Sequence, residues 1–590
     1  MSTLKRLLPP IDSVGYHILL GVVAIFFLGP LGGISAAYMN FSLGFFVGGQ
    51  VLAGILGSVV TYGYGAEGKH GANYMQTMAA SVASMSGMAV LIQAMAWLGL
   101  PEPPVWQLVL YFLCIGMFGV GVGMLYTSML VDKMQLTFPS GLAVANILRA
   151  LTDKRLLQSS IAKLGGGTGL GLAGGLLATF VAKIGETGLS ASTVGAGMIV
   201  SARIALPGMF VGAVGLAITP WLRAEGLLGA DAPFRKFGFI VALGMILGAA
   251  IVDMSLLARD AIARLGQVKA LEPTEDWKRT NQGRLWAWVA FWSIGVFAVA
   301  TGVLQLPAMY VLIAIGLVFV FLVVNGISLG ISDSNPISSA FVITVFILAA
   351  CGLTDPVTGL LCASILLIST SIGCDMQQDR STGWRLGSNR VTQFRYQVIG
   401  LTMGAVMSVL LARVFMKAYP VLKANQYADP NIEGADKWQS AMTYKFVGAL
   451  EGLAHPNPNM MKALFVGIGL GLLIETLRKI IKHNAGYKAW TQRGVGYWVD
   501  LILVDCTLLA SPYASSFGGF VDFGTTAWFA GGGLLTSVSQ TVGERMPKEP
   551  THADLPEDMS TTSLVGGGLI AGDSLAALGI GLYGLISTLL

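Results

Sequence analysis

Charge is what this chain has least of. Only 11% of its 590 residues are Asp, Glu, Lys or Arg, against about 25% in soluble domains. No charged residue occurs between Ser13 and Ala66, and none between Leu285 and Ser332. One helical bilayer crossing takes about 20 apolar residues. Each run therefore holds two crossings with a tight turn and is too long for a single core helix. Similar runs recur along the sequence. They predict an all-α polytopic membrane protein of about 16 transmembrane segments embedded in a lipid bilayer.

Other absences narrow the function. There is no GxxxxGK[ST] loop to bind nucleotide, so ATP does not drive this protein. There is no HExxH and no nucleophile–base constellation, which makes a membrane-embedded enzyme the least favoured class. The five cysteines (Cys114, Cys351, Cys362, Cys374 and Cys506) contain no CxxC pair and read as packing residues. The five histidines are scattered without ligand spacing, so neither a metal site nor a cofactor is expected. A net charge of +5 gives no reason to invoke nucleic acid. No small-residue cleavage site follows a short apolar core near the start, so no removable signal peptide is expected. Lys5 and Arg6 favour a cytoplasmic N-terminus. The basic stretch from Arg478 to Arg493 and the mixed-charge stretch from Arg259 to Arg284 are placed on the same side. Counting spans in the first half misses that parity by one, which predicts a broken or re-entrant segment there.

Glycine is plentiful, at 77 residues. Gly169 to Gly174 spells GxGxxG, but a dinucleotide fold needs a preceding strand and a βαβ unit, and no such pattern surrounds it. Gly167, Gly171 and Gly175 instead recur every fourth residue, which lets two membrane helices approach closely. Trp97, Trp106, Trp221, Trp286, Trp384, Trp490 and Trp498 fall near predicted span ends, where interfacial belts form.

The charged stretch around Glu272–Arg279 divides the chain into a membrane half over 1–262, a cytoplasmic linker over 263–284 and a second membrane half over 285–590. Each half opens with a long uncharged double span followed by a polar, helix-breaking patch. The first patch is Asn73-Tyr-Met-Gln76-Thr77 and the second is Asp333-Ser-Asn335-Pro336-Ile-Ser338-Ser339. A membrane-edge patch follows in each: Asp132 to Gly141, then Asp375-Met-Gln-Gln378-Asp379-Arg-Ser-Thr382-Gly383. This weak symmetry predicts two pseudo-repeated halves with broken or re-entrant helices, an arrangement that in transporters brings substrate to the midplane. Polar groups in apolar surroundings are costly and mark pathways or partners. Asn73, Gln76 and Thr77 are either interhelical hydrogen-bond glue or substrate contacts, and the same two readings hold for Asn335 and Ser338. Asp333 is either a proton-coupling or amine-binding carboxylate, or a helix cap. Asp505, Asp522 and Asp573 are further lone acids in apolar runs. Asp375 and Asp379, with Arg380 and Arg385 beside them, read as local salt bridges fixing a re-entrant turn. Arg203 lies in another apolar run, ready to neutralise one of these acids. Glu475 reads as a structural partner of the basic Arg478–Lys482 end. The polar stretch from Tyr419 to Trp438 reads as an ordered loop, with a lid as the alternative.

Phe138-Pro139-Ser140-Gly141-Leu-Ala143 resembles the (Tyr/Phe)-Pro-Ser-Gly-x-Ala signature of the oligopeptide transporter (OPT) family, which includes the yellow stripe-like metal-chelate transporters. Asp375 to Trp384 is similar to that family's Asp-x-x-Gln-Asp-x-Lys-Thr-Gly-Tyr, with Ser381 where the family has Lys. Gln397-Val-Ile-Gly400 continues the match. Asn73-Tyr-Met-Gln76-Thr77 resembles its Asn-x-x-Gln-Thr. Ser334-Asn335-Pro336-Ile-Ser338 resembles the Asn-Pro-Ile-Ser of its bacterial branch, although Asp333 stands where that branch often has a small residue. Gly568-Leu-Ile-Ala-Gly572-Asp573 resembles its Gly-Leu-Ile-x-Gly-(Asp/Glu).

The resemblance implies a proton-coupled secondary transporter that imports small oligopeptides or peptide-like metal chelates across the inner (cytoplasmic) membrane. The alternative is an uncoupled channel or facilitator. Homo-oligomerisation is left open. The expected substrate contacts are Asn73, Gln76, Thr77, Ser140, Gly141, Asn335, Ser338 and Gln378. The expected coupling acids are Asp333, Asp573 and Asp522. Pro139, Pro336, Asp375, Asp379, Thr382, Gly383 and Gly572 are expected to shape the motifs.

Overall fold

A computed structural model describes residues 8–44, 49–136, 138–151, 153–181, 190–230, 232–265, 275–332, 335, 337–429, 432–454, 458–492, 495–545 and 560–587. Helices are the only regular elements among them. The first half holds α1 (Val14–Ser42), α2 (Gly49–Thr61), α3 (Gly68–Ser86), α4 (Ala89–Trp97), α5 (Val105–Lys133), α6 (Pro139–Ala150), α7 (Lys154–Phe180), α8 (Ala191–Val200), α9 (Ala202–Ala224) and α10 (Arg235–Leu265). The second holds α11 (Gln282–Ala298), α12 (Ala308–Ser332), α13 (Ile337–Ala350), α14 (Pro356–Leu386), α15 (Arg390–Ala418), α16 (Ala441–Ala454), α17 (Pro458–His483), α18 (Phe523–Arg545) and α19 (Thr561–Ser587). Among the described residues, ten helical stretches are long and apolar enough to cross a membrane. The chain is an all-α polytopic membrane protein. About 16 segments were expected, and shorter or more polar helices such as α8 and α17 fall outside the ten.

Local chemistry sets the breaks. In α1 the helix widens to a π-turn over Ala24–Leu28 just before Pro30, whose missing N–H cannot continue the α-ladder. Between α2 and α3 the chain tightens to a 3₁₀ stretch, Tyr62–Glu67, with Gly65 at φ 63°. A further break separates α17 from α18, where a π-stretch (Asp500–Cys506) and two four-residue helices intervene.

The break expected at Asn73–Thr77 does not occur there, because those residues lie inside uninterrupted α3. Asp375–Gly383 likewise lies within continuous α14 and forms no re-entrant turn. Neither stretch carries an internal proline, and several of their polar side chains, Gln76, Thr77, Asp375 and Asp379 among them, bond to neighbouring helices while the backbone ladder continues. Asp333, Ser334 and Pro336 lie outside the described residues.

α14 is the centre of the bundle. Asp355 caps it, accepting from Thr358 N at 2.9 Å, and Gly387 ends it at φ 73°. Almost every residue from Thr358 to Gly383 is buried. Glycines let its neighbours close in. A Cβ at Gly119 of α5 would stand 2.6 Å from Ser369 Cα.

The regular glycines of α7 do pack as the spacing predicts. Their partner is α19, where Cβ atoms at Gly171 and Gly572 would reach the Leu569 and Thr168 carbonyl oxygens at 2.3 and 2.0 Å. Trp106, Trp221, Trp286, Trp490 and Trp498 are exposed, as a membrane belt requires. Trp97 is instead buried and donates to Leu422 O at 2.8 Å, so it anchors the Tyr419–Trp438 segment rather than facing lipid.

Candidate functional site

Most of the residues expected to contact substrate lie on or against the C-terminal third of α14. Asp375, Gln378, Asp379 and Thr382 share one face through their three- and four-residue spacings. α3 runs antiparallel to this face. Gln76 Nε2 donates to Asp379 Oδ1 at 2.9 Å, and Ser84 Oγ donates to Asp375 Oδ2 at 2.5 Å. α15 closes the third side. Gln393 Nε2 donates to Thr77 Oγ1 at 2.9 Å and to Asp379 O at 2.7 Å. Gly383 is required here, since a Cβ would meet Gln393 Oε1 at 2.5 Å.

The Phe138–Gly141 turn joins the same group. Phe138 is wholly buried at φ 43°, a conformation that bulky residues rarely adopt. Its N–H donates to Gly330 O at the end of α12, at 2.8 Å. Pro139 then starts α6, where its lost donor costs nothing. Gly141 lets α6 lie against α14, because a Cβ would stand 2.6 Å from Gln378 O. Thr382 Oγ1 donates to Gly141 O at 2.9 Å. Ser140 is half-buried beside it, and Gln378 is buried. Past the end of α12, half-buried Asn335 accepts from Asn325 Nδ2 at 3.3 Å, and half-buried Ser338 opens α13.

Four more residues belong to the group, none of them among the expected substrate contacts. Arg380 is 1% exposed and donates through Nη2 to Gln397 Oε1 at 3.0 Å. Its Nε and Nη1 have no protein partner among the described residues. Gln393 and Gln397 were legible as an i, i+4 pair of amides in α15. Arg390, 5% exposed, holds Asp132 of α5 with two bonds of 2.8 and 2.6 Å. Such forked pairs fix geometry as well as adding energy.

More of the group is unsatisfied. Both side-chain polar atoms of Asn73, Oε1 of Gln76 and Oε1 of Gln377 are buried without a partner among the described residues. A buried polar atom left unpaired costs about 1–3 kcal/mol, and more when charged. Several such atoms on adjoining helices suit a site that receives the amides, carboxylates and amines of a guest molecule.

The chain matches the family model described as OPT oligopeptide transporter protein over residues 11–184 and 284–583. The chain belongs to the OPT oligopeptide transporter family. No curated protein matches it. As a member of a transporter family built from apolar helices, it is a multi-pass membrane transport protein. Of the polar patches that carry the resemblance, those at Asn73–Thr77, Phe138–Gly141 and Asp375–Gly383 gather around α14, and the one ending in Asp573 does not.

Asp573 lies in α19. It is 4% exposed and accepts from Tyr38 Oη at 3.3 Å, Ser190 Oγ at 3.1 Å and Ser192 N at 3.0 Å. The last two belong to the start of α8, whose amide dipoles favour a carboxylate. Among the described residues no cation lies within ion-pair distance of it. Asp522, the other described coupling candidate, is exposed and caps α18, accepting from Thr525 N at 3.2 Å and Thr525 Oγ1 at 2.5 Å. Asp505 is instead tied up. Arg203 Nη1 lies 3.4 Å away, Lys482 Nζ 2.5 Å and Arg478 Nη2 3.6 Å. Glu475 pairs with Lys479 at 3.4 Å.

Proposed function

We propose that this transporter imports small oligopeptides, or peptide-like metal chelates, across the cytoplasmic membrane, driven by the proton gradient. The observation that carries the reading is the buried polar group on α3, α14 and α15, with its unpaired amide and guanidinium atoms. A peptide presents carboxylate, amine and amide groups, each of which can meet a donor or acceptor there. Asn73, Gln76, Thr77, Gln378 and Arg380 are the contacts we assign. Asp379 positions Gln76, and Gln393 positions Thr77. A chelate would offer the same groups and bring its own donors for the metal.

Asp573 is the coupling acid favoured by its surroundings. Buried without a cation, it is held by hydroxyls and one backbone N–H that would tolerate a protonated carboxyl. Asp333 remains a second coupling candidate. Asp522 is a weaker one, because a capping role already accounts for it.

The test is uptake into proteoliposomes of radiolabelled short peptides and ferric chelates, with an inward proton gradient. Gradient-dependent accumulation of either class supports the reading and names the substrate. Equilibration without accumulation would make the protein an uncoupled facilitator.

A further inference from the structure

A cavity with several charged and polar residues in its wall lies away from α14. It holds about 590 Å³ and is lined by Thr219 and Arg223 at the end of α9, Arg235 at the start of α10, Glu433 and Gln439, and Asp522. That volume suits a small organic molecule. The cavity sits at one end of the bundle. Gln439 N donates to Ser42 O, the last residue of α1, at 2.9 Å. His17, near the start of the same 29-residue helix, bonds Tyr396 Oη at 3.0 Å, roughly 40 Å away along the helix axis. The cavity thus lies at the opposite end from the N-terminus.

Arg235 is the unusual wall residue. It is only 7% exposed. Its Nη1 donates to Gln439 Oε1 and its Nη2 to Gln426 Oε1, both at 3.1 Å, and its guanidinium stacks 4.8 Å from the Tyr444 ring centroid. Gln426 is held in turn, donating to Trp438 O at 2.8 Å. Among the described residues no carboxylate comes within ion-pair distance of Arg235. Buried charges are normally paired. Here two neutral amides and a ring fix a guanidinium rigidly while leaving its charge uncancelled at a cavity wall.

Lys445 adds to the surplus nearby, with Nζ 3.8 Å above the Phe520 ring and no acid partner among the described residues. Asp522 is close, because its backbone N–H donates to the same Gln439 Oε1 at 3.2 Å. Its carboxylate is turned to Thr525 rather than to Arg235. The cavity therefore offers a buried cation with acids alongside, the pattern that suits a zwitterion.

We propose that this cavity binds a small zwitterion through its free carboxylate, with Arg235 as the anchor. The identity of that ligand as a short peptide or aminocarboxylate rests on the transport reading above. With the N-terminus cytoplasmic, the cavity faces away from the cytoplasm, where an importer first meets its cargo. Arg223 and Arg235 fall between the two stretches that the family model matches, 11–184 and 284–583. The anchor is thus supplied by a part of this chain outside the matched family sequence.

The test is calorimetric titration of the purified full-length protein with trialanine and with trialanine carboxamide. We expect the free acid to bind about ten-fold tighter than the amide, a charge-assisted contact being at stake, and Arg235→Gln to erase the difference. A second measurement leaves Arg235 intact. In a Cys351→Ser background, maleimide labelling of Glu433→Cys should be slowed by trialanine and not by its amide. Iminodiacetate as competitor distinguishes a chelator from a peptide as the carboxylate source. Equal affinity for acid and amide, no binding of either, or labelling that trialanine leaves unchanged would overturn the proposal. Uptake of trialanine without carboxylate-dependent binding would sink this site and spare the transport reading. Binding without uptake would do the reverse.

Discussion

At the scale of single residues, the group around α14 divides into positioned and unpaired atoms, and the two kinds predict different phenotypes. Gln76→Leu strips Asp379 of its side-chain donor. It should cost about 1.5–3 kcal/mol, read as a lower unfolding temperature in detergent. Asp132→Ala leaves Arg390 buried without its carboxylate and should cost about 3 kcal/mol by the same assay. An unfolding temperature unchanged by either substitution would contradict the hydrogen bonds of Asp379 and Arg390.

Asp573→Asn is nearly isosteric, keeps an acceptor for Ser190 and Ser192, and should fold. We expect it to abolish accumulation against a gradient while leaving equilibrium exchange of labelled for unlabelled substrate intact. Full accumulation by this variant would remove Asp573 from coupling.

Much of this chemistry was legible in order along the chain: Asn73 to Thr77, Phe138 to Gly141 and Asp375 to Gly383 all reach one region. What sequence could not supply were the partners. Asp132 and Arg390 are 258 positions apart, and Gln76 and Asp379 are 303 apart. Pairings that distant depend on how helices assemble, which no local pattern encodes. Arg203 was expected to neutralise an acid, but only packing could name Asp505. Arg235 was overlooked because an Arg-Lys pair at a helix start reads as an ordinary interfacial anchor.

At the scale of elements, small residues decide which helices touch. α7 and α19 pair through glycines whose missing side chains are filled by the opposing backbone. Gly171→Ile should therefore prevent their contact and yield aggregated protein on size-exclusion chromatography. Gly169→Ala is the control, since a Cβ there meets nothing within 4 Å, and it should behave as the parent. Equal behaviour of the two variants would contradict the pairing. The four-residue glycine spacing was readable from sequence, although its partner helix was not. The polar patches on α3 and α14 misled in another way. They looked like helix breaks because polar residues in apolar runs often are. Side-chain bonds to adjoining helices hold some of them and others stay unpaired, while the backbone ladder continues unbroken.

At the scale of the whole molecule, three polar groups in an apolar bundle bear on transport: the group around α14, the Asp573 network between α1, α8 and α19, and the Arg235 cavity at one end. In the transport cycle we propose, the first receives substrate, the second carries the proton and the third admits cargo. The end carrying His17 and Tyr396 also carries Arg390, and Lys278 lies 5.7 Å from the Trp384 ring there. That places Lys278 beside the N-terminal end.

The most direct measurement is uptake of radiolabelled trialanine and of ferric chelates into proteoliposomes with an imposed inward proton gradient. Proton-coupled import predicts accumulation of at least one of them above its external concentration, and collapse of that accumulation when a protonophore is added. Accumulation of neither, or accumulation indifferent to the protonophore, would contradict it.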